Sequence, residues 1–420
     1  MRRLFILICA LICLCSCANA EVYAVNFSAG AAAVDSIGKT VIPAGTYDRL
    51  FTLRNDDGEL TGYAAGIDTE YGVMYAVLNS DGLPLSDHKY LSVVSAGEGC
   101  IVNEGGVYRY LSAAHKYDEY AYSNMNYAGD GMILALTGNV HDDIGDAISI
   151  LWADGISFRT GISILGNIGE VSEGLIPLYD SGSNLYGYIN NQGSWVIKPA
   201  FKYAAPFLNG LAVIAGSNGY GVIDTDGRVR LAPSSLQIAR SGDIFAMIRG
   251  NSLRVYDSEL VITSITPLNG AHVNLTGEYI VVSGDDSEAV FDVYGTPLFS
   301  RPTGAQISSV GSGAFIVRDG KWGEACVELT WLDGSTLSEP CNSIYFLDNT
   351  RLAYALMTES DELKYGLMSI DGNFVTEAIY DSLAVVTDGL YCADVSDGAV
   401  IIDENGNVLN TFVTASDSQN

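Results

Sequence analysis

Residues 185–210 read LYGYINNQGSWVIKPAFKYAAPFLNG, and residues 211–231 read LAVIAGSNGYGVIDTDGRVRL. Both stretches contain short apolar runs separated by Gly with Asn or Asp, and both contain an aromatic residue followed by Gly. The same arrangement recurs along the chain, which indicates an internal repeat with a mean spacing of about 37 residues. Repeat starts fall near Gly58, Gly99, Gly131, Gly174, Gly210, Asp243, Gly277, Gly311, Asn349 and Gly389.

Each repeat contains three or four apolar runs with the length of short β-strands. Tight turns separate the second run from the third, as at Asp333-Gly334 and Asp371-Gly372, and Asp-Gly is a preferred two-residue hairpin turn. No stretch shows a sustained helical period. Because a small meander cannot bury both of its faces, neighbouring repeats must stack, and radial stacking gives a β-propeller. We therefore predict an all-β fold, a β-propeller of about ten antiparallel units.

The second strand of several repeats opens with an aromatic residue and a glycine. These pairs are Tyr186-Gly187, Tyr220-Gly221, Trp322-Gly323 and Tyr365-Gly366. Together with the run from Gly193 to Gly210, the pairs resemble the WG-repeat (KWG) family. The resemblance implies a bacterial, exported protein with a β-propeller-like fold, a binding role and no catalytic residues. We expect the aromatic residue to fill the space between units and the glycine to allow close backbone approach.

The two ends of the chain predict how the ring closes. The last unit, from Gly389 to Phe412, supplies only two or three strands, whereas Val22 to Leu53 resembles part of a unit. An N-terminal strand that joins the last unit would hide both open sheet edges. The predicted repeat domain spans 21–414, as one ring or two smaller ones, and 415–420 form a disordered tail.

The first twenty residues predict export. Arg2 and Arg3 precede an apolar run that ends at Cys15, and Ala18-Asn19-Ala20 supplies a cleavage pattern, so 1–20 form a signal peptide. The run is too short to span a bilayer, and no later segment is long enough. The protein is predicted to be secreted. The alternative is a lipoprotein signal, which would place a lipid anchor on Cys17 at the cell surface.

Composition limits the partners. Lys and Arg total 21 against 50 Asp and Glu, which gives a net charge of −29. Such an acidic chain repels nucleic acid and anionic lipid, but it permits cations, neutral glycans and basic proteins. With 48% apolar residues, the chain can bury a large core. We expect a monomer without a cofactor.

Four cysteines remain after the signal. Cys326 and Cys341 lie symmetrically about Asp333-Gly334, so the hairpin places them opposite each other and a disulfide is one prediction. Against it, this position is a hydrogen-bonded pair, where side chains lie farther apart, and two separate buried thiols are the alternative. Cys100 and Cys392 are interpreted as core residues.

No pattern of catalytic or metal-ligating residues is present in the sequence. The four histidines lie on separate repeats without metal-ligand spacing. The acidic segments Asp56-Asp57, 142–146 and Asp285-Asp286 are interpreted as solvated turns rather than calcium sites, and 403–407 as a hairpin turn. We therefore predict that the protein is not an enzyme. The alternative is an extracellular glycosidase or lyase with paired carboxylates in the funnel of the propeller.

The segment from Tyr108 to Tyr127 is rich in tyrosine and asparagine, a composition suited to sugar stacking or to a protein contact. Its candidate binding residues are Tyr117, Tyr120, Tyr122 and Tyr127. The competing interpretation packs these rings between units. Trp152 and Phe158 form a second candidate patch. The sequence thus predicts a secreted repeat protein that binds a protein or a glycan at the cell envelope or outside the cell.

Overall fold

The computed structural model describes residues 21–413 with short gaps. The gaps are residues 115, 117–121, 130, 138–145, 153–156, 165–170, 236, 269–271, 320–325 and 338–340. The predicted signal peptide and C-terminal tail lie outside the described residues. The described residues form strands and turns only, and they include no helix that is long and apolar enough to cross a membrane.

The strands form eleven antiparallel sheets in the part of the chain that the structure describes, each built from consecutive strands. Sheets 1–4 contain β1 (Val22–Phe27), β2 (Gly30–Asp35) and β3 (Thr40–Tyr47); β4 (Arg49–Arg54), β5 (Leu60–Thr69) and β6 (Gly72–Asn79); β7 (Ser92–Ala96), β8 (Gly99–Glu104) and β9 (Val107–Leu111); β10 (Asn124–Gly129), β11 (Met132–Thr137), β12 (Asp146–Trp152) and β13 (Ser157–Ile164). Sheets 5–7 contain β14 (Leu175–Asp180), β15 (Leu185–Asn190) and β16 (Trp195–Phe201); β17 (Tyr203–Ala204), β18 (Leu211–Gly216), β19 (Gly219–Asp224) and β20 (Val229–Ser235); β21 (Ile238–Ser241), β22 (Ile244–Ile248), β23 (Ser252–Tyr256) and β24 (Ile262–Pro267). Sheets 8–11 contain β25 (His272–Thr276), β26 (Tyr279–Ser283), β27 (Ser287–Asp292) and β28 (Pro297–Pro302); β29 (Gln306–Gly311), β30 (Ala314–Asp319) and β31 (Cys326–Trp331); β32 (Ser343–Phe346), β33 (Arg351–Met357) and β34 (Leu363–Ser369); β35 (Ser382–Thr387), β36 (Leu390–Val395), β37 (Gly398–Asp403) and β38 (Val408–Val413).

The hairpin turns at Asp333-Gly334 and Asp371-Gly372, like the one after Asp403, are three-residue loops, not two-residue loops. At Asp403, the Gly406 N–H donates to the Asp403 carbonyl (3.0 Å) and the Asp403 N–H donates to the Asn407 carbonyl (3.0 Å). Gly406 adopts a φ of 80°, as the third residue of such a loop requires. The Asp403 carboxylate accepts N–H bonds from Asn405 (2.9 Å) and Asn407 (2.8 Å), so Asp403 is a turn residue, as predicted.

The central strands are buried on both faces. In β2, Ala31, Ala32, Ala33 and Val34 are all 0% exposed. Ala31 and Ala33 pack toward sheet 2, whereas Ala32 and Val34 pack toward sheet 11. Such strands consist of continuous apolar runs rather than alternating ones, because neither face meets water.

Each sheet packs on the next one along the chain through a shared apolar cluster. One further cluster joins the first sheet to the last, with Val25 and Phe27 against Cys392, Ile401 and Phe412. Contacts therefore link each sheet to the next from sheet 1 to sheet 11, and sheet 11 also contacts sheet 1.

Two expectations about the units were wrong. The N-terminal strand does not join the last sheet: β1 pairs with β2, and sheet 11 has four strands of its own. The reason is local, since only Ser28 and Ala29 separate β1 from β2, whereas β35–β38 complete a meander by themselves. The described chain consequently has eleven sheets instead of about ten units. Most predicted starts lie just after the first strand of a sheet, so those sheets begin one strand earlier than expected. Gly174 is an exception, because it directly precedes β14, the first strand of sheet 5.

The register of β31 also differs from the prediction. Val327, not Cys326, lies opposite Cys341, and Thr330 lies opposite Thr336. The three-residue loop at Gly334 shifts the register, and more residues separate Thr336 from Cys341 than Val327 from Thr330. Cys341 is buried. The side chain of Cys326 lies outside the described residues, so the disulfide stays a prediction. Cys100 and Cys392 are buried core residues, as expected.

Candidate functional site

A cavity of about 710 Å³ is lined by residues of sheets 6 and 7 and by the segment that precedes sheet 5. Ser172, just before β14, lines it from sheet 5, Tyr203 of β17 from sheet 6, and Ile238 and Arg240 of β21 from sheet 7. Its size falls within the range of about 300–1,000 Å³ that is usual for small-molecule sites. The cavity is therefore large enough for a ligand of several ring units.

Two tyrosines give the cavity an aromatic wall. The rings of Tyr203 and Tyr220 have centroids 6.1 Å apart and are tilted by 56°. Tyr203 is 46% exposed, and Leu208, which also lines the cavity, is 44% exposed. A fixed aromatic face with an exposed edge can stack on another flat apolar surface, such as the C–H face of a sugar ring.

The segment between β17 and β18 is held in place from both sides. The Tyr188 hydroxyl of sheet 5 donates to the Ala205 carbonyl (2.8 Å), and the Ser172 hydroxyl donates to the Phe207 carbonyl. The Ala205 N–H donates to Val213 within sheet 6 (2.9 Å). Because these bonds fix the wall before a ligand arrives, binding requires little ordering of the protein.

Arg240 also lines the cavity. Its guanidinium donates to the carbonyls of Gly242 (2.9 Å), Leu211 (2.6 Å) and Leu208, and it lies 4.6 Å from the centroid of the Phe245 ring. Burial lowers the pKa of Arg240, while the neighbouring carboxylates of Asp243 and Glu173 act in the opposite direction. The guanidinium is thus held in one position and stays charged, and the two nearby carboxylates partly balance its charge.

Gln237 adds an amide to the cavity wall. Its side chain has no hydrogen-bond partner among the residues that the structure describes, and it offers both donors and an acceptor. Within the described chain, no Asp, Glu, His, Cys or Lys lines the cavity. The arrangement can stack and hydrogen-bond a ligand.

Tyr122 and Tyr127 of the 108–127 segment do not line this cavity. Tyr122 is 5% exposed and pairs with Tyr108 through a backbone bridge, so its ring belongs to the core between sheets 3 and 4. Tyr127 packs against the same core, and its hydroxyl bonds to Asp56 and accepts the Gly131 N–H (2.8 Å). Tyr117 and Tyr120, and the side chains of Trp152 and Phe158, lie outside the described residues. For Tyr122, the structure favours packing between units over sugar stacking.

Two of the aromatic-Gly pairs, Tyr186-Gly187 and Tyr220-Gly221, lie at bulges within sheets. A Cβ atom on Gly187 would lie 2.5 Å from the Ile197 carbonyl oxygen, and one on Gly221 would lie 2.6 Å from that of Leu231. In both sheets the register shifts beside the glycine, because the outer strand carries extra residues there. At these two glycines the close approach is therefore between neighbouring strands of one sheet, not between two sheets.

The aromatic members of these pairs lie at the contacts between sheets. Tyr186 packs on the cluster shared with sheet 6, Tyr220 on the one shared with sheet 7, and Tyr365 on the one shared with sheet 11. Gly366 lies against the Tyr354 ring, where a Cβ would be 2.6 Å from a ring carbon. Trp322 and Gly323 lie outside the described residues.

The residues of the cavity were missed because they come from different repeats. Tyr203 and Arg240 lie on the first strands of adjacent sheets, strands that the sequence prediction had placed at the end of the preceding unit. Assigning those strands to the following unit would have placed both residues on one side of the array. Among the described residues, no group of three or more His, Cys, Asp or Glu is arranged to hold a metal ion.

Comparison with known proteins finds one family model, described as the WG containing repeat. It matches residues 186–215. The matched segment runs from β15 into β18 and includes Tyr203 of the cavity wall. No curated protein matches the chain.

Several solved structures are distantly similar to the chain. AztD of Citrobacter koseri is 12% identical, with 94% of each chain covered and a TM-score of 0.30. A eukaryotic initiation factor is 12% identical over 78% of this chain and 98% of its own, with a TM-score of 0.41. PorZ of Porphyromonas gingivalis, a bacterial surface component of the type-IX secretion system, is 10% identical over 86% of this chain and 58% of its own, with a TM-score of 0.25.

Proposed function

We propose that the protein is an exported, non-catalytic binding protein whose eleven sheets form a closed β-propeller, and that its cavity binds a neutral carbohydrate. The closed ring rests on the cluster between sheets 1 and 11 together with the clusters between all consecutive sheets. Export, either as a secreted or as a lipid-anchored protein, rests on the sequence of residues 1–20.

The observation that carries the proposed ligand is the ring pair of Tyr203 and Tyr220, which lines the same preformed cavity as Gln237 and Arg240. Aromatic rings stack on the apolar faces of sugars, while amide and guanidinium groups bond to hydroxyls. A neutral sugar fits better than an acidic one, because Asp243 and Glu173 lie close to Arg240 and the chain carries a net charge of −29.

A glycan array with neutral and acidic oligosaccharides, followed by calorimetry on the best ligand, tests this proposal. The variant is Tyr203→Ala, and the matched control is Tyr294→Ala, a tyrosine that is 74% exposed in a turn of sheet 8. We expect Tyr203→Ala to weaken binding about fivefold to tenfold, the equivalent of about 1–1.4 kcal/mol, and Tyr294→Ala to leave it unchanged.

Three results would contradict the proposal. If no neutral glycan binds, or if both variants bind equally well, the cavity is not a carbohydrate site. If the bound oligosaccharide is recovered as fragments, the protein is an enzyme, and the glycosidase or lyase alternative replaces the non-catalytic one.

A further inference from the structure

The first strands of neighbouring sheets lie next to one another along one edge of the stacked sheets. Hydrogen bonds connect several of them. The Ser309 N–H of β29 donates to the Thr276 hydroxyl of β25 (2.7 Å), and the Tyr345 hydroxyl of β32 donates to the Leu383 carbonyl of β35. Tyr203 of the cavity lies on β17, the first strand of sheet 6, so a ligand in the cavity touches this row of first strands.

An exposed aromatic ring lies on the same row in sheet 10. Phe346 of β32 is 46% exposed, and it pairs with Leu352 of β33. Paired residues of adjacent strands point to the same face of a sheet. Because Leu352 belongs to the cluster that sheets 9 and 10 share, the ring of Phe346 faces sheet 9.

Polar side chains of sheet 9 face the same space. Gln306 and Ser308 are exposed on β29. Ser308 pairs with Ile316, another member of the cluster between sheets 9 and 10, so Gln306 and Ser308 both face sheet 10. In the described chain neither side chain forms a hydrogen bond, so the amide and the hydroxyl are available to a ligand.

A guanidinium completes the set of groups. Arg318 pairs with Gln306, and its guanidinium donates to the Ile344 carbonyl of sheet 10 (3.0 Å), which places Ile344 beside Gln306. In the first cavity Arg240 is likewise held by backbone carbonyls of the adjacent sheet. The two places thus contain the same three kinds of group, namely an aromatic ring, an amide and a guanidinium fixed by carbonyls.

The ring and the hydroxyl lie at a similar height. A Cβ atom on Gly311, the last residue of β29, would lie 4.0 Å from the amide oxygen of Asn349, which follows β32, so the two strands run in the same direction. From the bond between the sheets, each strand continues by two residues, to Ser308 and to Phe346. Alternate residues of a strand lie on one face, so these two side chains lie opposite each other.

This edge of the molecule carries little charge. In the described chain, every first strand except β14 lacks Asp and Glu, although the protein has 50 of these residues. Between the two places, the exposed side chains of β25 are those of His272 and Asn274. A neutral row of this kind favours an uncharged ligand, because a charged one gains no partner along it.

From this recurrence we propose that Phe346, Gln306 and Ser308 form a second sugar-binding subsite, and that the ligand is a linear neutral polysaccharide long enough to occupy both places. The inference rests on the proposed function of the first cavity and extends it. Sheets that pack face to face lie about 10 Å apart, so three sheet-to-sheet steps separate the subsites by up to about 30 Å. A polymer that reaches both gains affinity, because its second contact is intramolecular.

The test is calorimetry on the full chain with three neutral polymers, laminarin, mannan and dextran, and with their trisaccharides laminaritriose, mannotriose and isomaltotriose. A trisaccharide is too short to reach both subsites. We expect at least one polymer to bind about tenfold more tightly than its trisaccharide at equal concentration of sugar units.

The variant is Phe346→Ala, and the matched control is Phe51→Ala. Phe51 is 47% exposed and also lies on a first strand, β4, but its partner Ala64 belongs to the cluster of sheets 2 and 3, away from both subsites. We expect Phe346→Ala to raise the Kd of the polymer about fivefold and to leave that of the trisaccharide unchanged, and Phe51→Ala to change neither.

A second variant, Gln306→Leu, removes the amide without removing the ring, and we expect it to raise the Kd of the polymer about threefold. Tyr203→Ala should weaken the binding of polymer and trisaccharide alike, because both use the first cavity. Thermal melting verifies that each variant is folded.

Three results would overturn the second subsite while leaving the first cavity a sugar site. They are equal affinity of polymer and trisaccharide, unchanged polymer binding by both Phe346→Ala and Gln306→Leu, and an equal loss of polymer binding in Phe51→Ala and Phe346→Ala. Absence of binding by every polymer and trisaccharide would instead contradict the proposed function itself, and the second subsite with it.

Discussion

The rings of Phe27 and Phe412, which lie near opposite ends of the described chain, stack with centroids 5.6 Å apart and planes 2° from parallel. Phe412 is 6% exposed and belongs to the cluster between sheets 11 and 1. Two polar contacts accompany the stack. The Ser28 N–H donates to the Asp394 carboxylate (3.1 Å), and the Asn410 amide donates to the Gly38 carbonyl (2.8 Å). The first and last sheets are thus joined by packing and by hydrogen bonds.

Replacing Phe412 by Ala is expected to destabilise both ends of the chain. Removing a buried phenylalanine ring costs about 3–5 kcal/mol, and here the lost contacts belong to two sheets. Hydrogen exchange followed by mass spectrometry should show faster exchange in Val22–Tyr47 as well as in Ser382–Val413. The control is Phe346→Ala, since Phe346 is 46% exposed. Faster exchange in sheet 11 alone would show that the first sheet does not depend on the last one.

The bulge beside Gly187 predicts that a side chain is not tolerated there. Gly187→Val places atoms within the van der Waals distance of the Ile197 carbonyl and the Pro199 nitrogen. We expect the free energy of unfolding to fall by about 1–3 kcal/mol, measured by urea denaturation. Gly182→Val is the control, because a Cβ on Gly182 would meet only Asp180, at 3.5 Å. Equal stability of the two variants would count against close packing at the aromatic-Gly pair.

The residue that precedes each three-residue turn is predicted to have a specific role. Asp224 accepts N–H bonds from Asp226 (3.2 Å) and Arg228 (2.9 Å), whereas the Asp226 carboxylate only pairs with Arg228 at the surface. Asp224→Ala should lower the free energy of unfolding by about 0.5–1.5 kcal/mol, because two turn N–H groups lose their acceptor. Asp226→Ala should have little effect, since exposed ion pairs contribute little. Chemical denaturation of both variants measures these free energies of unfolding. A larger decrease for Asp226→Ala than for Asp224→Ala would contradict the proposed role of Asp224.

Asp348 predicts how stability depends on pH. This carboxylate is 5% exposed and lies between sheets 10 and 11. Burial alone would raise its pKa. Bonds from the hydroxyl of Tyr391, from the N–H and hydroxyl of Thr350 and from the N–H of Gly389 outweigh burial, so the pKa of Asp348 lies below its usual 3.8. A carboxyl with a lowered pKa in the fold contributes stability that is complete above the pKa of the unfolded chain and is lost as pH falls through the folded value.

Unfolding in urea at several pH values between 2.5 and 7 measures this contribution. The difference in stability between the wild type and Asp348→Asn should be about 1–3 kcal/mol at pH 7 and should shrink below about pH 4. Asp388→Asn, at an exposed neighbouring turn, serves as the control and should follow the wild type. A difference that stays constant over the whole pH range would show that the Asp348 charge does not matter.

Local patterns were sufficient to predict the strands and the presence of turns. Continuous apolar runs such as Ala31–Val34 indicate strands that are buried on both faces, and the Gly positions indicate the turns. Which strands belong to the same sheet was harder to predict from the sequence. β17 has only two residues, Tyr203 and Ala204, and too short a strand carries no periodic signal.

The cavity between sheets 5 and 7 was not predictable from single repeats. Its aromatic wall comes from Tyr203 and Tyr220, and its polar wall comes from Gln237 and Arg240 of the next sheet. Only the relative placement of sheets creates their proximity, and within one repeat each of these residues looks like an ordinary surface residue. The dense tyrosine segment gave a stronger sequence signal, but Tyr122 proved to be a packing residue.

The contact between sheets 1 and 11 brings Phe27 of β1 against Phe412 of β38, so strands from the two ends of the described chain pack on each other. The packing of the sheets therefore does not require the chain to begin in sheet 1 and end in sheet 11. A circular permutant, in which a flexible linker joins the two ends and the chain is opened in the exposed turn at Ser217-Asn218, would keep the contacts between the described sheets. In such a fold, moving the ends of the chain to another turn is expected to leave the packing of the sheets unchanged.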